Sequence, residues 1–164
     1  MMILTEGEVY VGCKAILNRR GWKWIAGQPP SGSDHLPVVE VKWSGRSGKG
    51  SRGALKPDLI GVKSGRLLLV ECKSKHSPED VKKLRDILSD RDRLRELRKE
   101  LKTRSLLKTH GLAENFPEHV CAAVAHSGAV VKLRKTVVIQ IEDMTGQGSV
   151  HLPRDPSEQI RELF

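Results

Sequence analysis

Residues 57–73 read PDLIGVKSGRLLLVECK. Pro57 to Val62 reads as a short strand, Lys63 to Arg66 as a turn, and Leu67 to Lys73 as a second, strongly apolar strand. Successive side chains on a strand point to opposite faces, so Glu71 and Lys73 share one face while Val70 and Cys72 take the other. The tight turn at Ser64 and Gly65 brings the chain back, which lets Asp58 sit on the neighbouring strand. Two carboxylates and an amine can therefore converge on one side of a hairpin. Carboxylate oxygens suit a hard cation such as Mg²⁺. Such an ion can polarise a phosphodiester and hold a water molecule. A lysine ammonium beside it can orient the water or stabilise charge developing on phosphate.

The pattern is unusual for structure alone. Glu71 and Lys73 follow four apolar residues, Leu67 to Val70, and a charged pair in that setting needs a partner or a task. The bland alternative is a strand emerging into solvent with a surface ion pair. Residues 39–42, VEVK, repeat the same triplet, so the triplet by itself decides little. Only the second copy has Pro-Asp upstream, a turn between, and a capped helix after it. Chemistry is therefore assigned to Asp58, Glu71 and Lys73, and a structural role to Glu40 and Lys42.

Outward from the hairpin, Ser77 to Asp80 (SPED) is a dense helix start: a capping Ser, Pro in the first turn, and acids at the positive end. The helix has room to reach about Lys108, which would make it about 45 Å long and a protruding element or helical hairpin. Leu84, Ile87, Leu94, Leu97 and Leu101 form a thin apolar stripe along it. Glu79/Lys83 and Glu100/Arg104 have the spacing of helical ion pairs. On the other side, residues 44–54, SGRSGKGSRGA, cannot pack and read as a flexible basic loop. From Lys42 to Lys56 there are five basic residues and no acid. Either a solvated linker or a DNA-contacting loop carrying Arg46, Lys49 and Arg52 fits that composition.

Upstream, Thr5 can cap a helix that begins at Glu6 and stops near Arg20, with Gly21 as terminator. Val9, Cys13, Ile16 and Leu17 share its apolar face. Glu6 projects close to that face and Glu8 well away from it. Trp22 to Ala26 and Val38 to Trp43 read as strands. Trp22, Trp24 and Trp43 could stack on bases, but core packing suits them better. Downstream, His119 to Ala125, Ala129 to Leu133 and Val137 to Glu142 read as three more strands, and Pro153 to Phe164 as a polar tail with a helical turn or more. The expected architecture is α/β, with a central mixed sheet of about five strands flanked by helices in one domain.

The bulk numbers agree with a polyanion as partner. The 164 residues carry a formal net charge of +9, and a small basic domain favours nucleic acid. Lys14, Arg19, Arg20 and Lys75 are candidate phosphate contacts, and His35 and His76 weaker ones. Cys13, Cys72 and Cys121 are too scattered for a disulfide framework or a zinc knuckle. Glu6 and Glu8 interrupt any leader-like start, and no apolar run approaches the roughly 20 residues of a membrane helix. These features point to a soluble, cytoplasmic protein with no membrane association.

The residues quoted resemble the PD-(D/E)XK nuclease superfamily, and within it the archaeal-type Holliday junction resolvases. The likeness covers roughly residues 6–75. It includes a Glu on the first helix, the Gly21-Trp22 ending, the Ser31-Gly32 loop, Pro57-Asp58, and Glu71-Cys72-Lys73 followed by Ser74 and Lys75. The resemblance implies a restriction-endonuclease-like core and Mg²⁺-dependent DNA cleavage, with Mn²⁺ as a substitute. It implies that Asp58 and Glu71 bind the metal, joined by the backbone carbonyl of Cys72, and that Lys73 assists the attacking water. It also brings a first-helix carboxylate to the site; Glu6 has the better phase, and Glu8 is the fallback. The alternatives are a restriction-like or repair nuclease on duplex DNA, and a non-catalytic nucleic-acid-binding module on the same fold. Symmetric cutting of two strands further implies a homodimer, for which the stripe of Leu84, Ile87, Leu94 and Leu101 offers a contact unless it packs within the chain.

Overall fold

The computed structural model describes residues 2–30, 34–41, 56–109 and 120–164. The turn at Ser64 and Gly65 sets the frame. Both residues have positive φ, 51° and 74°, the signature of a two-residue hairpin turn whose twist matches the flanking strands. It joins β2 (Leu59–Lys63) to β3 (Arg66–Lys73) in antiparallel register, with Lys63 opposite Arg66 and Leu59 opposite Val70. One step beyond that last pair, Asp58 faces Glu71. β1 (Lys23–Gly27) lies antiparallel on the far side of β2.

On the other side, β4 (Val120–His126) runs parallel to β3, β5 (Val137–Ile141) parallel to β4, and β6 (Gly148–His151) antiparallel to β5. The described residues thus form one mixed six-stranded sheet in the order β1-β2-β3-β4-β5-β6. Parallel neighbours need a crossover, and the sequence supplies two. The first is helical: α2 (Pro78–Ser89), α3 (Arg91–Thr103) and α4 (Leu106–Thr109). The second is residues 127–136, which explains why the strand expected at Ala129 to Leu133 is a loop. Its Val130 and Leu133 pack on the sheet face without joining a ladder.

The sheet is buried on both faces. Leu67 and Leu69 face α2 and α3, together with Ile60, Val81, Leu84, Ile87, Leu97 and Leu101. Leu68, Val70 and Cys72 face α1 (Glu6–Arg19), together with Val9, Cys13, Ile16 and Leu17. α1 is capped at Thr5 and ends at Gly21, whose φ is 91°. Its Gly12 is required by close approach: a Cβ there would stand 2.5 Å from the carbonyl oxygen of Asp143. The tail contributes α5 (Glu158–Leu163), and Phe164 packs on the buried ring of Trp22 at 5.3 Å.

Three further expectations are decided by the structure. Pro78 to Lys108, expected as a protruding helix or a helical hairpin, is interrupted at Asp90, whose carboxylate accepts the amides of Asp92 and Arg93 and starts α3 afresh. The helices then fold back over the sheet instead of protruding. Their stripe is taken up inside the chain, with Leu84, Ile87, Leu97 and Leu101 fully buried and Leu94 nearly so. Finally, the strand expected at Val38 to Trp43 appears only as an isolated bridge at Val41, residues 42 and 43 lying outside the described part. Val39 and Val41 are nevertheless buried, and the guanidinium of Arg93 donates to the Val41 carbonyl at 3.4 Å. No helix among the described residues is long and apolar enough to cross a membrane.

Candidate active site

The hairpin register brings Asp58 and Glu71 together at the end of β3. One Asp58 carboxylate oxygen accepts the backbone amide of Cys72 at 2.8 Å, which ties Asp58 across the strand pair. Burial and hydrogen bonding act on it in opposite directions: burial pushes its carboxyl up and wins, while the Cys72 amide pulls it down. Glu71 has the same face as Leu69 but lies where the apolar layer ends, and it is 2% exposed. Burial, followed by the negative charge of Asp58, pushes its carboxyl up to about 8, with Lys83 opposing. The pair is therefore rich in oxygen donors and short of compensating positive charge.

Lys73 is the last residue of β3, so its side chain can leave the sheet face and reach round the strand end. It meets Glu6 of α1, on the opposite layer, with Nζ 3.4 Å from Oε1. Burial works against its charge, but Asp80 and Glu6 outweigh it and hold the ammonium above the usual lysine range. Glu8 is occupied elsewhere. Its carboxylate accepts the Thr5 amide at 2.8 Å and closes a capping box, a use that lowers its pKa through the Thr5 backbone first. Of the two first-helix candidates, Glu6 is the one beside the motif.

Cys72 contributes through its backbone. Its side chain turns into the α1 layer beside Cys13, which raises the thiol well above its ordinary value, with burial adding to the effect. Lys75 is exposed and lines a small cavity with Glu71, Lys73, Asp80 and His126.

The remaining candidates are placed away from this point. Lys14 pairs with Asp34 at 3.0 Å. Arg19 donates to the carbonyls of Thr145 and Gly146, and Arg20 to that of Phe164 at 3.0 Å. Arg19 and Arg20 sit at the far end of α1, about 20 Å along the helix from Glu6. Arg46, Lys49, Arg52 and the Ser31-Gly32 loop lie outside the described residues. Glu40 pairs with Lys56 at 3.1 Å, which suits its structural assignment.

Two residues at the site were not placed there by the sequence. Lys83, expected to pair with Glu79, instead places Nζ 2.8 Å from Glu71 Oε1 and donates to the Lys56 carbonyl at 3.0 Å. His126, paired in register with Lys73 on β4, is 1% exposed, and its ring lies 5.8 Å from that of His76. Burial lowers its pKa, so the imidazole is neutral near pH 7. The one sequence signal for Lys83 was its position one turn after the capped start of α2.

Among the described residues, no three His, Cys, Asp or Glu side chains converge to hold a metal ion. Mg²⁺ does not need three. It retains several waters and is commonly held through one or two carboxylates, and the under-compensated Asp58–Glu71 pair, with the Cys72 backbone adjacent, fits that requirement. No family model, curated protein or solved structure matches the chain.

Proposed function

We propose that this chain is a divalent-metal-dependent endonuclease of the PD-(D/E)XK type, on a restriction-endonuclease-like core, which hydrolyses DNA phosphodiesters in branched, Holliday-junction-like substrates. The observation that carries the reading is the placing of the half-buried Asp58, one step beyond the Leu59–Val70 pair, opposite the buried Glu71, with the Cys72 amide donating to Asp58. Asp58, Glu71 and the Cys72 carbonyl would hold Mg²⁺, or Mn²⁺ in its place. When bound, the ion would neutralise phosphate charge and lower the pKa of an attacking water. Lys73, tethered by Glu6, offers donors to the phosphate oxygen on which charge develops. Lys75 and the basic residues Arg46, Lys49 and Arg52 would contact backbone phosphates, which supply affinity without sequence information.

The test is to offer a four-way junction, a flap, a duplex and a single strand side by side, with Mg²⁺ or with EDTA. Cleavage of the junction in Mg²⁺ only, lost in Asp58→Asn, is the expected result. Cleavage that survives in Asp58→Asn would discard the site. DNA binding with neither metal uptake nor cleavage would make the chain a non-catalytic binding module.

A further inference from the structure

The motif names one lysine, and the structure gives the carboxylate pair a different one. Lys83 lies on α2, between the buried Val81 and Leu84. Its Nζ is 2.8 Å from Glu71 Oε1 and 3.0 Å from the Lys56 carbonyl. An ammonium has three donors and no acceptor capacity. Both of its partners belong to the segments that build the site: Lys56 immediately precedes Pro57-Asp58, and Glu71 is the opposing carboxylate. The Lys83 side chain is 25% exposed against 40% for Lys73. Lys73 pairs with Glu6, and its charge acts on Asp58 less than that of Lys83 does.

We infer that Lys83 is the resident counter-cation of the Asp58–Glu71 pair, sharing Glu71 with the divalent ion and setting how tightly that ion is held. This rests on the metal-dependent reading above. Two carboxylates side by side repel, and the repulsion grows as water is excluded. A single ammonium in contact offsets part of it, and removing one partner of a buried pair leaves an uncompensated charge. A divalent ion entering the same place meets an ammonium already there, and like charges a few ångströms apart weaken its binding. With both present, the site carries one positive charge in excess of its two carboxylates. That excess matches the single negative charge of one phosphodiester.

The experiment is a Mn²⁺ titration of the full chain, following the free-ion resonance, with thermal melts in parallel. Lys83→Met removes the charge and keeps the stem. It should bind Mn²⁺ about tenfold more tightly, equivalent to ~1.4 kcal/mol. It should also melt lower without metal and gain more from Mn²⁺ than the wild type does. Lys83→Arg should retain wild-type affinity, and Lys73→Met should change it far less than Lys83→Met. Lys83→Gln, which can still donate to the Lys56 carbonyl, provides the same comparison if the methionine variant does not fold. Unchanged or weaker Mn²⁺ binding in the neutral variants would overturn the inference. If Asp58→Asn loses Mn²⁺ while Lys83→Met behaves as wild type, the inference alone fails. If wild type and Asp58→Asn take up Mn²⁺ alike, the metal reading fails with it.

Discussion

Asp58 and Glu71 sit in the same environment but are held differently. Asp58 is anchored by the Cys72 amide, whereas Glu71 depends on the ammonium of Lys83. Asp58→Asn and Glu71→Gln should each reduce cleavage by about 10³-fold or more, on the scale of the several kcal/mol that metal-centred charge stabilisation supplies. DNA affinity should persist, since in the proposed function cationic side chains elsewhere would provide it, and gel-shift titrations beside initial rates would show both. Lys73→Ala should lower kcat more than it weakens binding, by about 10²-fold, because its donors act on developing charge. A second residue-scale expectation concerns Asp34. Burial raises its pKa, but bonds from Tyr10 at 2.5 Å and Lys14 at 3.0 Å outweigh it and hold the carboxyl below its ordinary 3.8. A depressed folded-state pKa contributes stability that is present above pH 3.8 and lost as pH falls through the folded value. Melting temperatures of wild type and Asp34→Asn should therefore separate, with wild type higher, near pH 6, and converge as pH falls below 3.8.

At the scale of elements, the hairpin controls the site because its turn fixes the register. Gly65→Val places a β-branched residue at a φ of 74°, at a cost of about 1–2 kcal/mol. A lower urea midpoint with unchanged slope would show it. The same hairpin was legible in the sequence: an apolar run, a Ser-Gly turn and the alternation of Glu71 with Cys72 specify turn, register and face through local rules. What lay beyond local rules was less legible. Asp90 caps α3, yet in a run dense with Asp and Arg it looks like any surface acid, with no Gly or Pro to mark the break. β6 is four residues of Gly, Ser, Val and His on an exposed edge, with no apolar alternation to reveal it. Residues 129–133 have the apolar content of a strand, but parallel pairing of β4 and β5 required that stretch for the crossover. Lys83 meets Glu71 only because α2 packs on β3, and spacing along one helix pointed to Glu79 instead.

For the molecule as a whole, charge and assembly carry the expectations. Arg46, Lys49 and Arg52 lie outside the described residues, but their charge counts in the net +9. Replacing all three with Ala should lower the slope of log K against log salt by up to about 3, near 0.9 for each phosphate no longer neutralised. An unaltered slope would make the segment a linker. We further propose that the protein acts as a homodimer on DNA, which light scattering should report as a mass near twice 18.3 kDa. The leucines of α2 and α3 are not free to form the dimer interface. Leu97→Ala should cost about 2–5 kcal/mol of stability and leave the association state unchanged.

The charged residues around Lys73 come from both faces of the sheet. Glu6 arrives from α1 on one face, and Lys83 from α2 on the other. Neither layer holds the arrangement alone, so the site is a reporter of cooperativity. If either helix frays from the sheet on warming, the proposed cleavage would end when the first layer opens, before the strands lose their hydrogen bonds. Proteins open locally at free energies below that of global unfolding. Amide exchange of α1 and α2, measured against that of β3 and β4, would then identify which layer sets the working lifetime of the molecule.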